Sequence, residues 1–375
     1  MRYGDFCWIF LLSQIEKSLI FNYKFVQRHK FAGQLYGGCR MAEMSWNDVV
    51  GQKQLTDNLR NALKYHKISH AYLIQGEKLS GKMMIADIFA RALQCETEQE
   101  DKPCNQCRAC KQAMNRNHPD IMYVAHEKPN VISVDNIRQQ INGDIAIKPY
   151  SGSRKIYIMD EAEKMNVQAQ NALLKTLEEP PEYAVILLLA TRVGAMLQTI
   201  LSRCVVLNTR PVHEDMIQDY LMRKAQVPDY RAAICASFAR GNVGRAVELA
   251  SNEQFDHMKS AVIGTMKTIS GMETNKMAAE IKKMVEEKFD VADYLDLCFI
   301  WYRDVLLYKA CGVYGDQKHI IFKEDMTEIA DAARRYSYEG IERIIHSIEK
   351  ARSRLKANVN LELTLELMFL DMKTG

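Results

Sequence analysis

The stretch "GEKLSGKMM", residues 76–84, holds most of a phosphate-binding loop. Gly76, Gly81 and Lys82 stand where the pattern G-x-x-x-x-G-K-[ST] requires them, with Ser80 inside the loop. The next position calls for a hydroxyl that ligates Mg²⁺, and here it is Met83. A thioether is a soft ligand and Mg²⁺ wants oxygen, so the loop can cradle phosphate without placing the metal well. A second cluster is "IMDEAEKM", where Asp160 and Glu161 follow an apolar run. An acidic pair at a strand end suits an Mg²⁺ shell and a polarised water; the plainer alternative is a solvated strand end. A third is Cys95, Cys104, Cys107 and Cys110, spaced C-x₈-C-x₂-C-x₂-C. Four thiolates so placed close a tetrahedral shell, and with no base beside them the reading is structural zinc; the alternative is coincidental free thiols.

These groups need elements to hold them. "HAYLIQGEKLSGKMMIADIFARAL" reads as a strand (Tyr72 to Ile74), a glycine-bounded loop and a helix, with Ile85, Ile88, Phe89 and Leu93 on one face. Loop N–H groups and a helix N-terminus favour an anion there. "RKIYIMDEAEKM" gives a buried strand, Lys155 to Met159. "NVQAQNALLKTLEEPPEYAVILLLAT" gives a helix stopped by Pro180-Pro181, then a strand from Ala184 to Leu189, apolar on both faces as the middle of a parallel sheet must be. "LQTILSRCVVLN" adds a short helix and a strand, Val205 to Leu207. Alternating strands and helices predict an α/β parallel-sheet core; from about residue 213 onward the periodicity is helical, as in "IERIIHSIEKARSRL" and "LELTLELMFLDM". Pro103 and the polar "ETEQEDK" mark the cysteine segment as an excursion from the core.

The chain has 375 residues, 47% of them apolar, enough for two or three domains with real cores. Residues 1–40 carry a charge of +4, which leaves about −1 for the rest and excludes an electrostatically obvious nucleic-acid binder. No apolar run approaches a membrane span. Ten cysteines, four of them at metal-ligand spacing, fit a reduced cytoplasmic protein better than a secreted disulfide scaffold. The leader holds "FCWIFLL" with no cleavage site after it. Gly37-Gly38 is encodable by a ribosome-binding sequence, so residues 1–40 are expected to be a non-native or disordered leader before a start at Met41; a genuine N-terminal extension is the alternative.

On "HAYLIQGEKLSGK", the four-cysteine insert, "NHPDI" (117–121), "NALLKTLEEPP" (171–181), "TILSRC" (199–204) and "WYRDVLLYK" (301–309), the chain from Met41 onward resembles the δ′ clamp-loader subunits of bacterial DNA polymerase III, in the AAA+ superfamily. Several of these motifs are shared with the γ/τ subunits, which keep Ser or Thr after the loop lysine. The resemblance implies an AAA+ core over 41–211 with its zinc insert at 95–110, a small helical lid over 212–253, and a helical collar, or oligomerisation domain, over 254–375. It implies a subunit that does not hydrolyse ATP, binding it weakly or not at all through Gly76, Ser80, Gly81, Lys82, Asp160 and Glu161. Such a subunit has no ATPase of its own but serves a nucleotidyltransferase holoenzyme. Its expected partners are the γ/τ and δ subunits, with the sliding clamp and primer-template DNA met through the assembled complex.

The resemblance also implies an arginine finger, Arg203 in "SRC", offered in trans to a neighbour's ATP; taken alone, that arginine reads as a surface residue capping a helix end. The lid arginine that senses γ-phosphate in active relatives falls on Gly244 in "GNVGRA", with Arg245 one place on. Two other readings are an active γ/τ-like ATPase motor and a zinc-dependent DNA-binding module. Residue 83 opposes the first. For the second, Glu96, Glu98, Glu100 and Asp101 against Lys102, Arg108 and Lys111 make a poor phosphate-contacting surface.

Overall fold

The computed structural model describes residues 44–98, 101–126, 130–312 and 320–374. The expected leader, 1–40, lies outside the described residues. Those residues form two compact units: one runs to 225 and takes in 241–248, the other holds 226–240 and 249–374.

The first unit is an α/β layer structure. Helix α1 (Lys53–Lys64) precedes β1 (Ala71–Gln75), then α2 (Lys82–Gln94), α3 (Arg108–Met114), β2 (Ile121–Tyr123) and the single turn α4 (Val134–Ile137). After these come β3 (Lys155–Met159), α5 (Val167–Glu178), β4 (Ala184–Ala190), α6 (Gln198–Leu201), β5 (Val205–Asn208) and α7 (Glu214–Lys224). All five strands are parallel, in the order β2-β3-β4-β1-β5. Every residue of β3 and β4 is buried, as the continuous apolar runs require. Successive strand side chains leave opposite faces. Val185, Leu187 and Leu189 therefore pack with Ile85, Ile88 and Phe89 of α2, while Ile186 and Leu188 join Leu173 and Leu177 of α5 on the other face. Full burial of one such side chain stabilises by about 1.5–3 kcal/mol, so the two layers pin the register Leu73↔Leu188 and Tyr157↔Ile186.

Local signals set the element ends. Asn166 accepts from Ala169 N at 2.8 Å to start α5, and the Pro180-Pro181 pair keeps the helix from running past Glu178. Gly81, at φ +84°, opens α2 in a left-handed conformation. Strand β2, three residues long, has too short a run to be read from periodicity and is a gain of the structure.

The remaining helices are α8 (Asp229–Phe238), α9 (Val243–Ala250), α10 (Glu253–Thr268), α11 (Thr274–Glu286), α12 (Val291–Cys311), α13 (Met326–Arg335), α14 (Tyr338–Lys356) and α15 (Leu361–Thr374). Among the described residues no strand follows Asn208. The core of the second unit holds Trp301, Tyr302, Phe322 and Phe369. In "WYRD", Asp304 is fully buried and accepts from Ile321 N at 2.8 Å and Phe322 N at 2.9 Å. No described helix is long and apolar enough to cross a membrane.

Candidate nucleotide site and metal knuckle

The loop 76–81 leaves the carboxyl end of β1, and the Asp160-Glu161 pair leaves that of β3, with β4 between them. Ligands of open parallel sheets bind at such a rim. A cavity of about 290 Å³ opens there, lined by Lys82, Met83, Asp160, Glu161, Glu163 and Thr191 among others.

The loop is tight. A Cβ at Gly76 would collide with the Thr209 hydroxyl and lie 2.6 Å from Ser80 Oγ. Lys82 Nζ turns back to donate to Gly76 O at 2.7 Å and Glu77 O at 2.6 Å. Burial lowers the Lys82 pKa from its ordinary value, against the opposing pull of Asp160, Glu163 and Glu161. Ser80 Oγ is buried with no hydrogen-bond partner among the described residues. Met83 lines the cavity where a hydroxyl would face the metal.

On the acidic side, Glu161 adopts φ +51° and its Oε2 meets Lys164 Nζ at 2.6 Å and His126 Nε2 at 3.8 Å. Glu163 accepts from the Thr191 hydroxyl. Sequence reasoning passed over both: Glu163 is a third acid in "DEAE", and Thr191 is the polar residue that ends the apolar run of β4. It also passed over Asp87, which accepts from Tyr123 Oη at 2.8 Å and Arg116 Nη2 at 3.2 Å, with the Arg116 guanidinium over the Tyr123 ring at 4.6 Å. No local pattern announces that set, since α2, the end of α3 and β2 meet only in the fold. In "NHPDI", Asp120 is 1% exposed and gathers Tyr150 N, Ser151 N and Gly152 N at 2.6–2.8 Å. That motif is a brace for the 150–152 loop.

The four cysteines converge. Their sulfurs lie within 4.8 Å of one another. A tetrahedral shell with zinc–sulfur bonds near 2.3 Å sets sulfurs about 3.8 Å apart, so the donor set fits one ion. Backbone N–H groups point at the sulfurs: Cys104 N to Cys95 Sγ at 3.4 Å, Cys107 N to Cys104 Sγ at 3.3 Å, Cys110 N to Cys107 Sγ at 3.4 Å. Burial resists ionisation of Cys104, yet the Gln106 and Cys107 N–H groups bring its thiol down to about 6. The knuckle is not the loose excursion its polar residues imply. Ala109, Cys110 and Ala113 of α3 are buried, Trp46 Nε1 donates to Lys102 O at 2.7 Å, and Arg91 of α2 donates to Asn105 Oδ1 at 3.0 Å. Small residues on α3 let it lie close, and Ala113 and Met114 wall the cavity.

Arg203 sits just past α6, apart from this cavity, with its side chain 35% exposed. Its guanidinium donates to Thr199 O at 2.9 Å and pairs with Glu178 Oε1 at 2.8 Å. The bond to Thr199 O is the helix-end cap, and the pair with Glu178 engages the other terminal nitrogen.

A phosphate-type loop and an acidic strand end on a helix-covered parallel sheet, followed by helices alone, define an α/β protein of the P-loop type. Residues 51–213 match the family described as DNA polymerase III, delta subunit. The chain is 28% identical over 337 residues to DNA polymerase III subunit delta′ of Bacillus subtilis, covering 88% of this chain and 99% of that protein. It is 32% identical over 308 residues to subunit tau of the same organism, covering 76% of this chain and 54% of that protein, about half the length of tau. Among solved structures, a DNA polymerase III gamma subunit-related protein of Thermotoga maritima aligns over 86% of this chain and 99% of that chain, at 23% identity and a TM-score of 0.37. Over most of its length the chain is similar to subunits of bacterial DNA polymerase III, and its first unit matches their family model.

Proposed function

We propose that this chain is the δ′-type subunit of a clamp loader: it takes a place in the ring without hydrolysing ATP and offers Arg203 to a neighbour. The observation that carries this reading is Met83 on the wall of the cavity. Lys82 and the loop amides suit phosphate oxygens, but the residue that should give Mg²⁺ a hard oxygen gives a thioether. ATP is held weakly or not at all through Gly76, Ser80, Gly81, Lys82, Asp160 and Glu161, and is not turned over. Partners are γ/τ and δ subunits, with the sliding clamp and primer-template DNA engaged by the assembly in the cytoplasm. Cys95, Cys104, Cys107 and Cys110 hold one structural zinc, which stiffens the wall formed by α3. The domains follow 41–211, 212–253 and 254–375, with the first forty residues dispensable.

Arg203 suits a trans-acting role because its side chain stays partly exposed, and the role requires its two terminal nitrogens to leave Thr199 O and Glu178 for a neighbour's phosphate. A guanidinium keeps its charge and meets phosphate oxygens with two parallel donors. In a reconstituted loader, Arg203→Ala should leave zinc and assembly intact and lower DNA- and clamp-stimulated ATP turnover by about tenfold or more, with little rescue by Arg203→Lys. Unchanged turnover and clamp loading, with the variant present in the complex, would remove the finger from this reading. The likeness to tau favours a second reading, an active motor. Turnover by the isolated chain at a motor's rate would select it.

A further inference from the structure

The helix that follows Asn242 touches the phosphate loop directly. Asn242 is buried, and its side-chain amide is used at both ends. Oδ1 accepts from Arg245 N at 3.2 Å, capping α9, while Nδ2 donates to Lys78 O at 2.7 Å, across 164 residues of chain. Two residues on, a Cβ at Gly244 would overlap the carbonyl oxygen of Leu79 and lie 3.1 Å from the Leu79 Cβ. Only glycine lets α9 sit this close. Leu79 itself is held at φ +66°, in the left-handed region that a leucine rarely adopts. Behind the contact, Gly241 at φ +87° donates no side chain against Pro211, and its carbonyl accepts from Val212 N at 2.8 Å. The space beside the loop, bounded by Val49, Val50, Tyr220 and Val247, is reduced to about 40 Å³, room for a few waters and not for a nucleobase.

We propose that α9 is a latch: Asn242 and Gly244 hold the phosphate loop closed, so that a nucleoside triphosphate binds only after the helix lifts from Leu79. The inference deepens the degenerate-site reading above and rests on it. It assigns the closure to this chain's own residues and makes the missing metal ligand a second, separate defect. The latch also gives position 244 a reason: an arginine there would wedge α9 off the loop before it could reach a phosphate.

The test uses the full chain with a fluorescent ATP analogue, with and without Mg²⁺, and amide exchange over residues 77–81. A single buried hydrogen bond shifts such an equilibrium by roughly three- to tenfold. Asn242→Ala and Gly244→Ala should each speed exchange of the loop amides and strengthen analogue binding by about that factor, Mg²⁺ adding little, while metal content and circular dichroism stay unchanged. Should Gly244→Ala misfold, Asn242→Ala carries the test. Faster exchange without tighter binding would overturn the latch, as would unchanged exchange, or tight binding by the unaltered protein with its loop protected. The readout is binding and exchange, not turnover, so loss of the Arg203 finger and loss of the latch are separate outcomes.

Discussion

Asp120 holds a loop in place from inside the first unit. In the sequence it is part of a family signature; in the structure it is a buried carboxylate that ties down the backbone of Tyr150, Ser151 and Gly152. Burial alone would raise its pKa, but those N–H donors outweigh it and the net shift is downward. A depressed folded pKa gives stability that is complete above the ordinary aspartate value, about 3.9, and is lost as pH falls through the lower folded value. Asp120→Asn should cost about 2–3 kcal/mol at neutral pH, because charge-assisted bonds are replaced by an amide that must turn one donor toward donors. Urea melts at pH 7 and along an acid series would read both effects; the variant should lose part of the acid dependence between pH 4 and the folded value. A cost below about 0.5 kcal/mol would mean that the loop braces itself.

At the scale of elements, the metal knuckle and α2 work as one piece. Cys107 caps α3 through its sulfur, α3 brings Ala113 and Met114 to the cavity wall, and the turn after it brings Arg116 to Asp87 on α2. Opening a thiolate shell releases metal and the order that the metal imposes. Cys107→Ser should therefore drop bound zinc from near one per chain to a small fraction and raise amide exchange over residues 102–117. The five strands should keep their protection, since their registers depend on the two packed faces of the sheet. Elemental analysis with exchange mass spectrometry reads both. Wild-type protein purified without chelator and free of metal would end the zinc assignment, and strands that melt with the knuckle would make it part of the core.

At the scale of the molecule, the chain crosses between its two units three times, near 225, 240 and 248. The second unit has its own polar centre. Asp296 accepts from Arg240 Nη2 at 2.7 Å and Arg352 Nη2 at 2.5 Å, joining α8's end to α12 and α14. Arg240 is mostly exposed, so its pair is worth little, whereas Arg352 is largely covered and its Nε has no partner among the described residues. Asp296→Ala leaves that guanidinium uncompensated and should destabilise the second unit by about 1–3 kcal/mol. Exchange should rise across α12 and α14 with zinc content and strand protection unaltered; equal loosening of both units would show that they unfold as one.

Much of this protein is legible from local chemistry. The strands Lys155–Met159 and Ala184–Ala190 follow from apolar runs, α5 from its proline stop, the loop 76–81 from glycine spacing, and the four converging thiols from cysteine spacing. Each is set by neighbours along the chain, where steric preference and periodicity act. Met83 already declared the loop degenerate. What the chain order could not declare is where distant segments meet. The three-residue β2 exists because β3 offers it a ladder. Arg203 pairs with Glu178 because that residue ends a helix beside it. The packing of α3 on α2 turns a polar cysteine loop into a cavity wall, and the approach of Gly244 to Leu79 turns a missing arginine into a contact. Those outcomes depend on close packing between surfaces far apart in sequence, and only the folded chain brings such surfaces together.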